Sequence, residues 1–206
     1  MKKLLLLGIM LLGIVGGVKA QETEIEYLPG DPISLESIVS KSTLVSIATT
    51  DMAILYGKNN EDNQIRCGAI NHAISEAGTD GSYRFRITKA TDEGLVLPNG
   101  VTTLYRIKAF KKGGNTAYTG PGWNGANSYY LNDIGWTYNV VSADNYNDGC
   151  FFGITSIDGK ENTYKITSYK KDGSRVKENI YGKNEWVFYV VKEQSVPIKR
   201  VVAAND

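Results

Sequence analysis

The run AYTGPGWNGANSYYLNDIGW, Ala117 to Trp136, gathers two tryptophans and three tyrosines among glycines and asparagines. Glycine and asparagine favour turns, so part of this aromatic surface is expected on loops, facing water. In the segment PGWNG, Trp123 stands on such a loop, and an exposed indole is an apolar platform for the C–H face of a pyranose. Asn124, Asn127, Asn132 and Asp133 can hydrogen-bond to hydroxyls beside it, and Tyr129 and Tyr130 add further rings. Adjacent tyrosines on a strand point to opposite faces, so one of the two turns inward. The residues selected for ligand binding are Trp123, Asn124, Tyr129, Tyr130 and Asp133. A loop ring folded back to cap its own domain is the competing reading.

Catalytic equipment is sparse. His72 is the only histidine, which excludes an HExxH zinc helix and any cluster of histidine ligands. Cys67 and His72 could form a nucleophilic pair, but nothing in the sequence marks the thiol as activated. No serine occupies a G-x-S-x-G elbow, and no glycine-rich run opens a helix to cradle phosphate. The acidic pairs Glu61-Asp62 and Asp92-Glu93 adjoin turn residues, where solvated charge is the ordinary state. DNYNDG, Asp144 to Gly149, alternates oxygen ligands as a calcium loop does, but Tyr146 takes a ligand position and no glutamate follows six residues after the glycine. The expectation is a non-catalytic protein with no metal and no cofactor.

The amino terminus, MKKLLLLGIMLLGIVGGVKAQ, has Lys2 and Lys3, an apolar run from Leu4 to Val18, and Val18-Lys19-Ala20 before Gln21. That order describes a secretory signal peptide cut after Ala20. The run is shorter than the roughly 20 apolar residues of a spanning helix, so no membrane insertion is expected after cleavage, and the mature chain is expected outside the cytoplasm, secreted, periplasmic or at the cell surface. Of 23 basic residues, removal of Lys2, Lys3 and Lys19 leaves 20, against 22 acidic ones. This balance, without a basic block, argues against nucleic acid as a partner. In an oxidising compartment Cys67 and Cys150 could pair, or each could be apolar filler.

Residues 21–41 read as a lead-in segment with one turn of helix at Ser34 to Val39, residues 42–193 as the domain, and residues 194–206 as a tail. Within the domain, short alternating or β-branched runs recur between turn residues: TLVSIAT, AILYG, QIRCGAI, YRFRIT, TLYRIKAF, TAYTG, SYYLN, WTYNVV, CFFGITSI, TYKITSYK, SRVKENIY and WVFYVV. Many short strands predict an all-β sandwich or barrel. Three runs share a ring, any residue, ring, any residue, aliphatic pattern: Tyr83 to Ile87, Trp136 to Val140 and Trp186 to Val190. Each would close a block of four strands, Thr43 to Ile87, Thr103 to Val140 and Cys150 to Val190, with the first rings packed around a common axis.

Three four-stranded units ending in an aromatic-x-aromatic strand resemble a β-trefoil. SLESIVSKSTLVSIATTDMAILYGKNN followed by NHAISEAGTDGSYRFRITKA is similar to the β-trefoil modules of secreted Bacteroidetes proteins, in which a DGSYxF turn leads into the fourth strand. The resemblance covers Ser34 to Val191 and is strongest from Ser34 to Lys89. It implies a ricin-type, lectin-like carbohydrate-binding module. Of the Gln-x-Trp fingerprint of that type, the chain keeps only the aromatic, in Gly81-Ser82-Tyr83, Ile134-Gly135-Trp136 and Asn184-Glu185-Trp186. The expected function is therefore a secreted glycan-binding module. The alternative is a protein-interaction or protease-inhibitor-like β-trefoil at the cell surface, using the insert Thr88 to Thr102 with Leu95, Val96, Leu97 and Pro98.

Overall fold

In a computed structural model, residues 23–57, 64–77, 83–110, 130–141 and 149–197 are described. They form twelve strands: β1 (Thr23–Pro32), β2 (Leu44–Thr49), β3 (Ala53–Gly57), β4 (Ile65–Ala69), β5 (Arg84–Lys89), β6 (Tyr105–Phe110), β7 (Tyr130–Asp133), β8 (Tyr138–Val141), β9 (Phe151–Ser156), β10 (Thr163–Tyr169), β11 (Arg175–Lys177) and β12 (Trp186–Pro197). Two helices, α1 (Leu35–Lys41) and α2 (Ile70–Ala77), and a 3-10 turn, Ile180–Gly182, complete the described elements. The protein is all-β, and its strand pairings are antiparallel.

Following the hydrogen bonds from β2 leads to β5, β6, β9, β10 and β12, and β12 pairs with β2 again. The path closes, so these six strands leave no open edge among themselves. Alternation then sends two residues of each strand inward: Val45 and Ile47, Phe85 and Ile87, Ile107 and Ala109, Phe152 and Ile154, Tyr164 and Ile166, Trp186 and Phe188, all in one core. The hairpins β3–β4 and β7–β8 and the strand β11 attach outside this ring. Leu55, Ile65, Leu131 and Val140 from the hairpins, and Ile180 from the 3-10 turn, join the same core.

The lead-in segment closes over part of that core. Ser34 caps α1, its hydroxyl accepting from the Ser37 amide at 3.3 Å, and Ile38 is buried with the ring residues. The Leu35 amide donates to the Tyr164 hydroxyl at 2.9 Å, tying helix to barrel.

Four expectations are corrected. Residues 194–197, read as tail, continue β12, which pairs with β1 from Thr23 opposite Pro197. The lead-in therefore supplies a strand as well as a helix. Ile70, read as the last residue of the strand QIRCGAI, instead opens helix α2, which buries Ala73 in a second cluster with Tyr56 and Tyr83. Most consequentially, Trp136 does not belong to a core strand. It stands on the turn between β7 and β8 and is 83% exposed, whereas Trp186 is fully buried and Tyr83 lies in the second cluster. The three first rings therefore do not meet. The strand between β6 and β10 in the ring is β9, whose inward residues follow Cys150 as Cys150-x-Phe152-x-Ile154. Phe85, Phe152 and Phe188 are the phenylalanines that share the main core. The physical reason is Gly135, at φ 92°, which turns the chain immediately before Trp136. The TAYTG strand lies outside the described residues.

Candidate functional site

Of the five residues selected for binding, Trp123, Asn124 and Tyr129 lie outside the described residues. Tyr130 and Asp133 occupy the two ends of β7. Asp133 is fully buried and both carboxylate oxygens are engaged: Oδ1 accepts from the Gly135 amide at 2.8 Å, and Oδ2 from the Ser168 hydroxyl at 2.7 Å. Asn132 is likewise buried; its amide donates to Asn139 Oδ1 at 3.0 Å and its oxygen accepts from the Cys150 thiol at 3.3 Å. These two side chains hold the hairpin instead of facing a ligand. Short polar side chains at a strand end bond to local backbone as readily as to solvent, and burial here decides the matter.

What they hold is the turn that carries Trp136. The Ile134 amide donates to the Thr137 carbonyl at 3.1 Å, Lys177 Nζ of β11 donates to the Gly135 carbonyl at 2.8 Å, and the Asp133 amide donates to the Gly149 carbonyl at 3.2 Å. The backbone on both sides of Trp136 is thus fixed while its indole faces water. Lys177 Nζ also lies 5.5 Å from the Tyr138 ring centroid, placing a cation beside the turn. Tyr138 stacks on Tyr181 at 3.7 Å, and burial pushes both phenols up in pKa, so they stay protonated hydrogen-bonding groups at neutral pH. Among the described large apolar side chains, Trp136 is the most exposed.

Tyr130 belongs to a different surface. The Arg106 guanidinium lies 4.7 Å from the Tyr130 ring centroid and 4.9 Å from that of Phe151, and it donates two bonds to Asp92, at 2.9 and 2.7 Å. One face of the Tyr130 ring is therefore covered by a cation rather than open to a sugar. Asp92, one of the acidic residues considered for catalysis, is committed to this ion pair.

Cys67 and Cys150 are both free thiols. Burial pushes the Cys67 thiol from 9.0 up to about 11 against the attraction of Lys183, the reverse of what a nucleophile needs. Iodoacetamide at mildly alkaline pH should therefore alkylate Cys67 on the order of 100-fold more slowly in the folded chain than in the unfolded one, by thiolate fraction alone. Peptide mapping at timed points measures this, and equal rates in both states would show that the thiol is not shielded. Among the described residues no three histidine, cysteine, aspartate or glutamate side chains gather to hold a metal ion, and most of the Asp144 to Gly149 loop lies outside those residues.

No protein-family model, curated protein or solved structure matches the chain.

Sequence reasoning missed two features of this surface. Trp136 was assigned inward by its pattern, although the NDIG residues before it are turn formers. The outward cations of β5 and β6 were also legible, in the alternation of YRFRIT and YRIKAF, which sends Arg84 and Arg86, and Arg106 and Lys108, to one face.

Proposed function

We propose that the protein is a secreted, non-catalytic β-trefoil module that binds glycan, with Trp136 as its sugar platform. The closed ring of six strands, with a hairpin or strand added outside it after β2, β6 and β10, supports the trefoil reading. The short apolar amino-terminal run and the small residues before Gln21 support export with cleavage after Ala20.

The observation that carries the binding proposal is the exposure of Trp136 on a pinned turn. Exposing an indole forgoes roughly 2 kcal/mol or more of burial, which a fold recovers when a ligand covers the ring. Because the turn is already rigid, little conformational entropy is lost when a pyranose stacks on it. Trp136→Ala should lower retention on a glycan array by at least about tenfold, the loss expected when a stacking platform worth about 1.4 kcal/mol or more is removed. Equal retention by wild type and variant would remove Trp136 from the site.

One observation favours a second reading. Val96 and Leu97, on the insert between β5 and β6, are 51% and 48% exposed side by side, and the Val96 amide donates to the Lys171 carbonyl at 3.0 Å. An anchored loop presenting adjacent aliphatic side chains suits a protein partner. Blank glycan arrays, with a partner protein lost on Val96→Asp, would favour that reading.

A further inference from the structure

We infer that the turn between β7 and β8 takes an acidic pyranose, the Trp136 indole lying under the sugar ring and the Lys177 ammonium on its carboxylate. This rests on the glycan-binding reading above and names its ligand class.

Lys177 ends β11, which pairs with β10, and its side chain stays partly open to solvent. Its Nζ donates at 2.8 Å to the Gly135 carbonyl, which belongs to the peptide joining Gly135 to Trp136. The ammonium is therefore tied to the same peptide unit that carries the exposed indole. Holding one carbonyl takes one N–H and no charge. Lysine brings three N–H groups and a full positive charge, so most of what it offers is surplus to that bond. The face of the Tyr138 ring, 5.5 Å from Nζ, attracts the charge without neutralising it.

The cations around Lys177 provide the contrast. Arg175 pairs with Glu178 at 3.8 Å, and Lys165 pairs with the same glutamate at 2.6 Å. Asp133, which leads into the turn, has both carboxylate oxygens engaged, by the Gly135 amide and the Ser168 hydroxyl. Among the described residues no carboxylate forms an ion pair with Lys177.

A pyranose stacked by its C–H face keeps its equatorial substituents in the plane of its ring, projecting past the rim of the indole. In a hexuronate one of those substituents is a carboxylate, which a lysine beside the platform meets with a charge-assisted hydrogen bond. Because the Gly135 bond already holds the ammonium, little of the rotamer entropy of a free lysine is lost on binding.

The test compares retention of the purified protein on immobilised polygalacturonate, alginate and hyaluronan, each beside its methyl ester, which keeps the sugar ring and removes the charge. At least one acid should retain the protein about fivefold or more over its ester, with the preference fading as salt is added. Lys177→Met should bring the acid down to the level of the ester and leave retention on the ester unchanged. Lys177→Arg should keep the preference, and Trp136→Ala should lower retention on both forms. Should Lys177→Met fold poorly, Lys177→Gln carries the same expectation. A lysine that only held the turn would, once removed, weaken acid and ester alike, and that result overturns the inference. Equal retention of acid and ester by the wild type, or a preference that survives Lys177→Met and Lys177→Gln, overturns it while leaving the glycan reading intact. No retention on any of these polymers or on the glycan array overturns both.

Discussion

Trp186→Ala should lower the free energy of unfolding by about 3–5 kcal/mol, while Trp136→Ala changes it by no more than about 0.5 kcal/mol. The two tryptophans open the same aromatic-x-aromatic-x-aliphatic pattern, yet one is fully buried and the other stands in water. Trp186 begins β12 and is hydrogen-bonded into the sheet on both sides, opposite Thr49 of β2 and Tyr164 of β10. Its ring meets Tyr181 edge-on at 6.3 Å, and Tyr181 in turn stacks on Tyr138. Truncation leaves a hole lined by strands that cannot move inward without breaking the ring, so the cavity cost adds to the lost burial. Trp186 Nε1 is buried without a hydrogen-bond partner. Trp186→Phe, which removes that donor and most of the bulk remains, should therefore cost less than about 1.5 kcal/mol. Urea titration followed by far-UV circular dichroism measures all three variants. Similar losses for the two alanine variants would mean that both rings serve one core, as their shared pattern suggests.

That contrast locates what the sequence can and cannot tell. Strand runs such as AILYG and TYKITSYK were legible because a short β-branched or aromatic run bounded by turn residues is a local property. The closing of β12 onto β2 was not, since the pairing of Phe188 with Ile47 joins residues far apart in the chain. The ring-x-ring-x-aliphatic pattern singles out Trp136 by ring size, whereas the fold selects for position on a ring strand. Cys150 is small but precedes Phe152 at the right spacing, and Gly135 breaks the chain where Trp136 would have to enter the core. At the site, residue type suggested that Asp133 and Asn132 would face solvent. Their burial depends on Ser168 and Asn139, contacts that only the fold supplies. The insert's exposed Val96 and Leu97 were legible because nothing in their surroundings gives a periodic face to bury.

Gly149→Ala should be the most damaging of the small substitutions, lowering the unfolding free energy by about 4 kcal/mol or more. Two effects combine. Gly149 has φ 87°, a conformation that costs an L-residue about 1–2 kcal/mol. A Cβ there would also lie 2.1 Å from the Asp133 carbonyl oxygen and 3.2 Å from a Val176 methyl group. The first contact is to backbone, which cannot swing aside as a side chain does. Gly94 separates the two effects, because its φ of 72° is equally left-handed but nothing lies within 4 Å of its missing Cβ. Gly94→Ala should therefore cost only the conformational part, about 1–2 kcal/mol. Equal losses at the two positions would show that the close approach of Gly149 to β7 is not a constraint. The clash has a functional consequence as well. Moving the Asp133 backbone strains its bonds to Ser168 and Gly135, which orient the Trp136 turn. Glycan retention by Gly149→Ala should thus fall at temperatures where circular dichroism still reports a folded chain, and Gly94→Ala should retain glycan as the wild type does.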